Sequence, residues 1–266
     1  MMIKSLLENR ILLLDGAMGT MIQEYNLSEE DFRGEKFSNH PVDQKGNNDL
    51  LSITQGDIIR KIHEQYLDAG SDIIETNTFS ANGISMQDYD LVDQVYEMNV
   101  QSARIAKDIC QQFTLQTPGK ARFVAGAMGP TNRTASLSPD VNNPAFRAAS
   151  FDDFVFAYED QVRGLIDGGA DLLLIETIFD TLNAKAAYFA IQNVFKEKQL
   201  QLPVMVSGTI VDASGRTLSG QTIEAFLISM SHMKLLSIGL NCSTGAKDMF
   251  PHIRELAEKS SSFVSV

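Results

Sequence analysis

The 266-residue chain has only two cysteines, Cys110 and Cys242, too few for a disulfide framework, so each is read alone as a packed thiol or a reactive one. It also lacks a basic cluster: 22 Lys and Arg stand against 34 Asp and Glu, a formal net charge of −12. That balance repels nucleic acid and anionic membrane surfaces, and neither is expected as a partner. No run approaches the ~20 apolar residues of a membrane span. The opening MMIKSLLENRILLLDG carries a Glu and an Arg before its short apolar stretch and has no small-residue cleavage site, so it does not read as a signal peptide. These absences point to the cytoplasm. What is present, 44% hydrophobic and 21% charged residues, can bury a substantial core, and disorder is not expected. Single α/β barrels run to roughly 250 residues. No stretch reads as a linker, so residues 1–266 are expected to form one domain.

A weak internal repeat gives the organisation. Residues 57–76 (ending AGSDIIET) and 154–177 (ending GGADLLLIET) both read as an amphipathic helix, then Gly, then Asp, then an apolar run closing on Glu-Thr. Gly70 and Gly168 fall where a helix needs a residue tolerant of positive φ to close its last turn. The apolar runs are too short for helices and show no polar alternation, as parallel strands buried on both faces do. Similar runs at 11–14, 122–127, 203–207, 235–240 and 263–266 alternate with helical patterns at 92–112, 181–198, 222–233 and 246–258. About seven strands alternating with helices predict a parallel α/β fold. The first strand is followed by DGAMGTM, which lacks the GxGxxG fingerprint of a doubly wound dinucleotide fold. A (β/α)8 TIM-type barrel missing its last strand or two is the expected architecture. The polar segments 23–55 and 129–150 then become long loops at the carboxyl-terminal face of the strands, where barrel active sites are built.

Three of the apolar runs end in a carboxylate, at Asp15, Glu75 and Glu176. A partly desolvated carboxylate is retained if it is paired, hydrogen-bonded or binds a cation. A rim of caps and ion pairs explains it, and so does a pocket for a substrate with an amino group. The turn Asp15-Gly16-Ala17-Met18-Gly19-Thr20 is either a plain strand-to-helix turn or one whose backbone N–H groups hold a carboxylate or phosphate. The loop SGRTLSG (214–220) lacks the Lys and spacing of a P-loop and reads as a mobile or docking loop. Cys242 closes LLSIGLNC, in which Ser237, Gly239 and Asn241 share one face. That face is expected to point into the barrel, with Asn241 at the mouth and Cys242 at the bend. The bend suits a thiolate ligand or nucleophile better than a packing residue, while Cys110, on a helical apolar stripe, reads as core. His40, His63, His232 and His252 show no ligand spacing, and surface or helix-face positions are expected for each. The methionines fit helical core positions.

Taken in order, DGAMGTMIQ (15–23), DFRGEKF (31–37), KGNNDLLSITQ (45–55), GSDIIETNTF (70–79), GPTNRTASLSPDV (129–141), IETIFDTLNAKAA (175–187), DASGRTLSGQT (212–222) and GLNC (239–242) resemble the N-terminal homocysteine-binding, zinc-bearing module of cobalamin-dependent methionine synthases. The likeness spans essentially the whole chain. Relatives that take methyl groups from betaine or S-methylmethionine share the DG turn and the Asn-Cys ending; the long NDLLSITQ and GPTNRTASLSPDV loops look like the cobalamin-dependent branch.

The resemblance implies three cysteines on zinc and the homocysteine thiol in the fourth position. Cys242 matches the first of those ligands, and the other two belong to a Gly-Gly-Cys-Cys motif that this chain does not contain. It also implies that Asp15 and Glu176 hold the substrate's amino group, that the backbone of Gly16, Ala17, Met18 and Gly19 faces its carboxylate, and that Asn241 lines the same pocket. Methylcobalamin, recharged from 5-methyltetrahydrofolate, belongs to another module, so the partners implied are homocysteine and the folate, cobalamin and reactivation modules of the same polypeptide. Two other readings stand beside this one: a free-standing homocysteine S-methyltransferase using S-methylmethionine or betaine, and an inactive truncated fragment. With one zinc ligand in hand, the 266 residues alone are expected to hold zinc weakly and not to activate homocysteine.

Overall fold

Helix formation follows the apolar periodicity and stops where the local chemistry changes. The computed structural model describes residues 2–211, 215–242 and 244–266. Among these, the helices are α1 (Met2–Leu7), α2 (Met18–Gln23), α3 (Glu29–Arg33), α4 (Leu51–Thr54), α5 (Gly56–Ala69), α6 (Val95–Gln116), α7 (Phe151–Asp167), α8 (Thr181–Lys198), α9 (Ile223–Met230) and α10 (Ala246–Lys259). The strands are β1 (Ile73–Glu75), β2 (Phe123–Met128), β3 (Leu172–Ile178), β4 (Val204–Gly208), β5 (Ser237–Leu240) and β6 (Phe263–Ser265). Helix α8 has the predicted bounds and begins at an Asp180 cap that accepts the Leu182 N–H. Helix α6 outruns the expected 92–112: it opens with a 3-10 turn at Val92–Gln94 and continues to Gln116, where Thr117 before Pro118 leaves the helical region, at φ −131° and ψ 74°.

The chain contacts group into two units, residues 1–127 with 160–172, and residues 128–159 with 173–266. In unit 1, β1 and β2 pair in parallel with Ile74 opposite Val124. The predicted first strand, 11–14, is reduced to a single parallel bridge from Leu14 to Ile73. Its side chains explain the difference, since Ile11 and Leu13 are 85% and 55% exposed and there is little burial to hold an extended run in place.

The repeat has a concrete structural meaning. The Asp after each glycine turn caps the neighbouring strand: Asp72 Oδ2 accepts the Leu13 N–H at 3.0 Å and Asp171 Oδ2 accepts the Val124 N–H at 2.9 Å. Each carboxylate also pairs with a cation, Arg10 for Asp72 and Lys107 for Asp171. The helix ends differ in one respect from expectation. Gly70 is left-handed as predicted, with φ +116°, but in the second copy Gly169 takes that role, at φ +100°. Gly168 is required for another reason: a Cβ there would lie 2.5 Å from Ala103 Cβ and 2.6 Å from the Val100 carbonyl oxygen. It lets α6 and α7 approach closely.

In unit 2 the strand order is β3-β4-β5-β6, all parallel. The residues of β4 and β5 are all buried, which is why these runs read as continuously apolar. The register of β3 against β4 breaks between Ile175 and Ile178, so Glu176 and Thr177 sit on a bulge. Thr177 is left-handed, with φ +56°, an unusual state for a β-branched residue.

The long loops are pinned. In unit 1, Glu29 accepts the backbone N–H groups of Gln44 and Lys45 at 2.7 and 2.6 Å. Asn77 donates to the Asn48 carbonyl at 2.7 Å and to Ser52 at 3.2 Å. In unit 2, Asp180 accepts the backbone N–H and the hydroxyl of Ser136, while Asn183 accepts the Ala135 N–H at 2.8 Å. No helix of the described residues is long and apolar enough to cross a membrane.

Candidate functional site

In unit 1 the site begins where the first apolar run ends. Asp15 follows the Leu14 bridge, its N–H donates to the Ile73 carbonyl, and its Oδ2 accepts the Glu75 N–H at 3.0 Å. The two expected strand-end carboxylates are therefore neighbours. Desolvation, then the charge of Asp15, pushes the Glu75 carboxyl up to about 8. The Gly16-Ala17 backbone is exposed and leads into the six-residue helix α2, whose N-cap residue Ala17 offers no side-chain acceptor to the first turn. Tyr66 on α5 donates to the Ala17 carbonyl at 3.3 Å, and its hydroxyl lies 3.1 Å from where a Cβ on Gly16 would stand. The glycine thus admits the phenol that holds the turn. Burial, then the charges of Asp15, Glu24 and Glu75, raises the Tyr66 pKa.

In unit 2, Glu176 sits on the β3 bulge beside Thr177, whose hydroxyl donates to Glu176 Oε2 at 3.3 Å. Asn241 lies at the end of β5, as expected. Its Oδ1 accepts the Thr177 N–H at 3.1 Å and the Ser207 hydroxyl at 2.7 Å; its Nδ2 donates to Thr177 Oγ1 at 2.8 Å and Cys242 Sγ at 3.4 Å. Cys242 is exposed and left-handed, with φ +45°, and its sulfur stands 3.5 Å from Thr209 Oγ1. The expected bend at Cys242 is present.

Sequence reasoning missed Tyr66, Thr177, Ser207 and Thr209. A signal existed only for Thr177, which closes the second copy of the repeat. Ser237 and Gly239 share the face of Asn241, yet their space is taken by β6: a Cβ on Gly239 would lie 2.1 Å from the Ser265 carbonyl oxygen. Cys110 is buried as expected, its thiol pushed up to about 12 by desolvation first and then by Asp171. His63 keeps the helix-face part of the expectation and not the surface part: it lies on α5 but is fully buried, and desolvation, then the charge of Arg60, lowers its pKa to about 4. Of the loop 214–220, Ser214 lies outside the described residues. The rest is a closed turn in which Thr217 N–H donates to Gln221 and Ser219 N–H donates to the Phe179 carbonyl.

A metal can be judged by its donors. Cys242 supplies the thiol chemistry zinc takes, but zinc needs about four ligands, and among the described residues no three of His, Cys, Asp and Glu are grouped as a metal site. The residues described here amount to one ligand.

Parallel strands alternating with helices define a class, an α/β protein; of the three carboxylates expected to close strands, Glu75 ends β1, Asp15 follows an isolated bridge and Glu176 lies within β3, two residues before its end. A family model described as homocysteine S-methyltransferase matches residues 12–266, and the chain belongs to that family. The fold is similar to that of the homocysteine methyltransferase MmuM from Escherichia coli. The oxidised form superposes with a TM-score of 0.77 at 19% identity, covering 99% of this chain and 84% of that one. The metallated form gives 0.77 at 20% identity, covering 98% and 85%, and the apo form 0.72 at 19%, covering 98% and 83%. At this identity the likeness speaks for fold, and the barrel-type α/β fold expected from the strand–helix alternation is the fold of this chain.

Proposed function

We propose that this chain binds homocysteine and serves as the thiol-activating barrel domain of a cobalamin-dependent methionine synthase in the cytoplasm. The observation that carries the reading is the juxtaposition in unit 2 of a carboxylate fit for an ammonium group, Glu176, with a thiol, Cys242, through one hydrogen-bonded chain. The family resemblance, rather than the geometry, adds Asp15 as a second carboxylate for the amino group and the backbone of Gly16, Ala17, Met18 and Gly19 as the cradle for the substrate carboxylate. A charge-assisted contact of this kind is worth roughly 1.5–3 kcal/mol, so loss of either carboxylate is expected to weaken binding tenfold or more.

Cys242 would be one thiolate ligand of zinc, which when bound lowers the proton affinity of the substrate thiol and supplies nucleophilic thiolate at neutral pH. The chain's own residues bind and orient the amino acid and present its sulfur at the mouth beside Cys242. Methylcobalamin and folate would be held by other modules. The loops 45–55 and 129–141 support the cobalamin branch, because their resemblance is to that branch rather than to the free-standing methyltransferases.

The donor is tested by giving the zinc-supplied protein homocysteine with methylcobalamin, S-methylmethionine or betaine in turn and measuring methionine. Residues 1–266 alone are expected to yield no methionine from any of the three; in a chain that also carries the Gly-Gly-Cys-Cys motif, product from methylcobalamin alone is expected, and product from either small donor without cobalamin contradicts the reading. Zinc retained through dialysis is expected to fall well below one per chain, and Cys242→Ala to remove what remains. One tightly held zinc per chain would show that other residues complete the site.

A further inference from the structure

We propose that Asn241 is a positioning residue that ties the bulge carrying Glu176 to the bend carrying Cys242, and that it makes no substrate contact of its own. The inference rests on the reading of Glu176 and Cys242 as site residues. An Asn side chain has two N–H donors and a carbonyl oxygen with two acceptor positions. All four are taken by protein here: Oδ1 by the Thr177 N–H and the Ser207 hydroxyl, Nδ2 by Thr177 Oγ1 and Cys242 Sγ. The Asn241 backbone N–H is engaged as well, donating to the Gly208 carbonyl at 2.9 Å. Nothing on the side chain is left for an amino-acid ligand.

The direction of these bonds matters. Because Thr177 Oγ1 accepts from Asn241, its own proton is turned toward Glu176 Oε2, 3.3 Å away. One amide thereby orients the carboxylate through Thr177 and reaches the thiol directly. The same amide holds Thr177 in its left-handed conformation, φ +56°, a state that persists only where the surroundings fix it. Two residues 66 positions apart in sequence, Glu176 and Cys242, are thus fixed relative to each other by a residue adjacent to one of them.

The test separates positioning from contact with a double-mutant cycle on the full chain, reading homocysteine affinity by calorimetry and the Thr177 amide by hydrogen exchange. Asn241→Ala is expected to weaken homocysteine tenfold or more in the wild-type background and less than twofold in the Glu176→Gln background, because it acts through Glu176. Asn241→Asp, which keeps the acceptor and loses both donors, is expected to keep the Thr177 amide protected while weakening homocysteine, and it serves if the alanine variant does not fold. Additive losses in the cycle would show direct contact and overturn the proposal. Unchanged Thr177 protection in Asn241→Ala would overturn it too, and this readout needs no ligand. Failure of the wild type to bind homocysteine would sink the functional reading, while the exchange result would still decide whether the clamp exists.

Discussion

Glu75 and His63 make the stability of unit 1 depend on pH in opposite directions. Glu75 ionises in the fold only near 8, whereas in an unfolded chain a Glu does so near 4.3. Between those values the fold holds a proton that the unfolded chain has lost, so the folded state loses stability as pH rises through that window. Glu75→Gln is expected to match wild type near pH 4 and to exceed it by more than about 1 kcal/mol at pH 9 in urea denaturation; a pH-independent difference would mean that Glu75 is ionised in the fold at neutral pH. His63 has the opposite sign. It stays neutral in the fold down to about 4, while the unfolded side chain takes a proton below about 6.5, so stability is lost as pH falls across that interval. Both ring nitrogens lack a hydrogen-bond partner, and His63→Leu is expected to flatten the acid limb without loss at pH 7. The carboxylates Asp15, Glu75 and Glu176 were legible in the sequence because each closes an apolar run, although of the three only Glu75 ends a strand. The saturation of Asn241 was not, because its partners Ser207 and Thr177 lie 34 and 64 residues away. No periodicity carries that information.

At the scale of elements, the repeat was readable because helix, glycine turn, capping Asp and buried strand each leave a local mark. The bulge on β3 left none: a register break is set by pairing with β4, not by the composition of LLLIETI. The shift of the left-handed position from Gly168 to Gly169 has a similar origin. Two adjacent glycines satisfy the turn equally in sequence, and only the approach of α6 decides that Gly168 must stay in the helical turn without a Cβ. Gly168→Ala is expected to cost about 2 kcal/mol or more through overpacking against Ala103 and Val100, measured as a lowered urea midpoint at constant slope. Gly119→Ala, where a Cβ meets nothing within 4 Å, is the matched control and is expected to change stability by less than about 0.5 kcal/mol.

For the whole molecule, the ordered motifs that carry the family resemblance supply scaffold as well as the proposed site residues. Asn77, Asp180 and Asn183 hold loops in place through backbone groups, which explains how a likeness spread over the chain is compatible with a small set of substrate residues. Contacts that group into two units bear on the proposal that residues 1–266 are one domain. A single urea transition, coincident by far-ultraviolet circular dichroism and by exchange of amides in each unit, is expected of one domain; two resolved transitions would divide it. The central proposal, that the chain binds homocysteine by its amino group at Glu176, with Asp15 added on the family resemblance, is tested most directly by calorimetric titration of homocysteine into the wild type, Asp15→Asn and Glu176→Gln. The account predicts saturable binding by the wild type and at least tenfold weaker binding by each variant. No heat with the wild type, or equal affinity in all three, would contradict it.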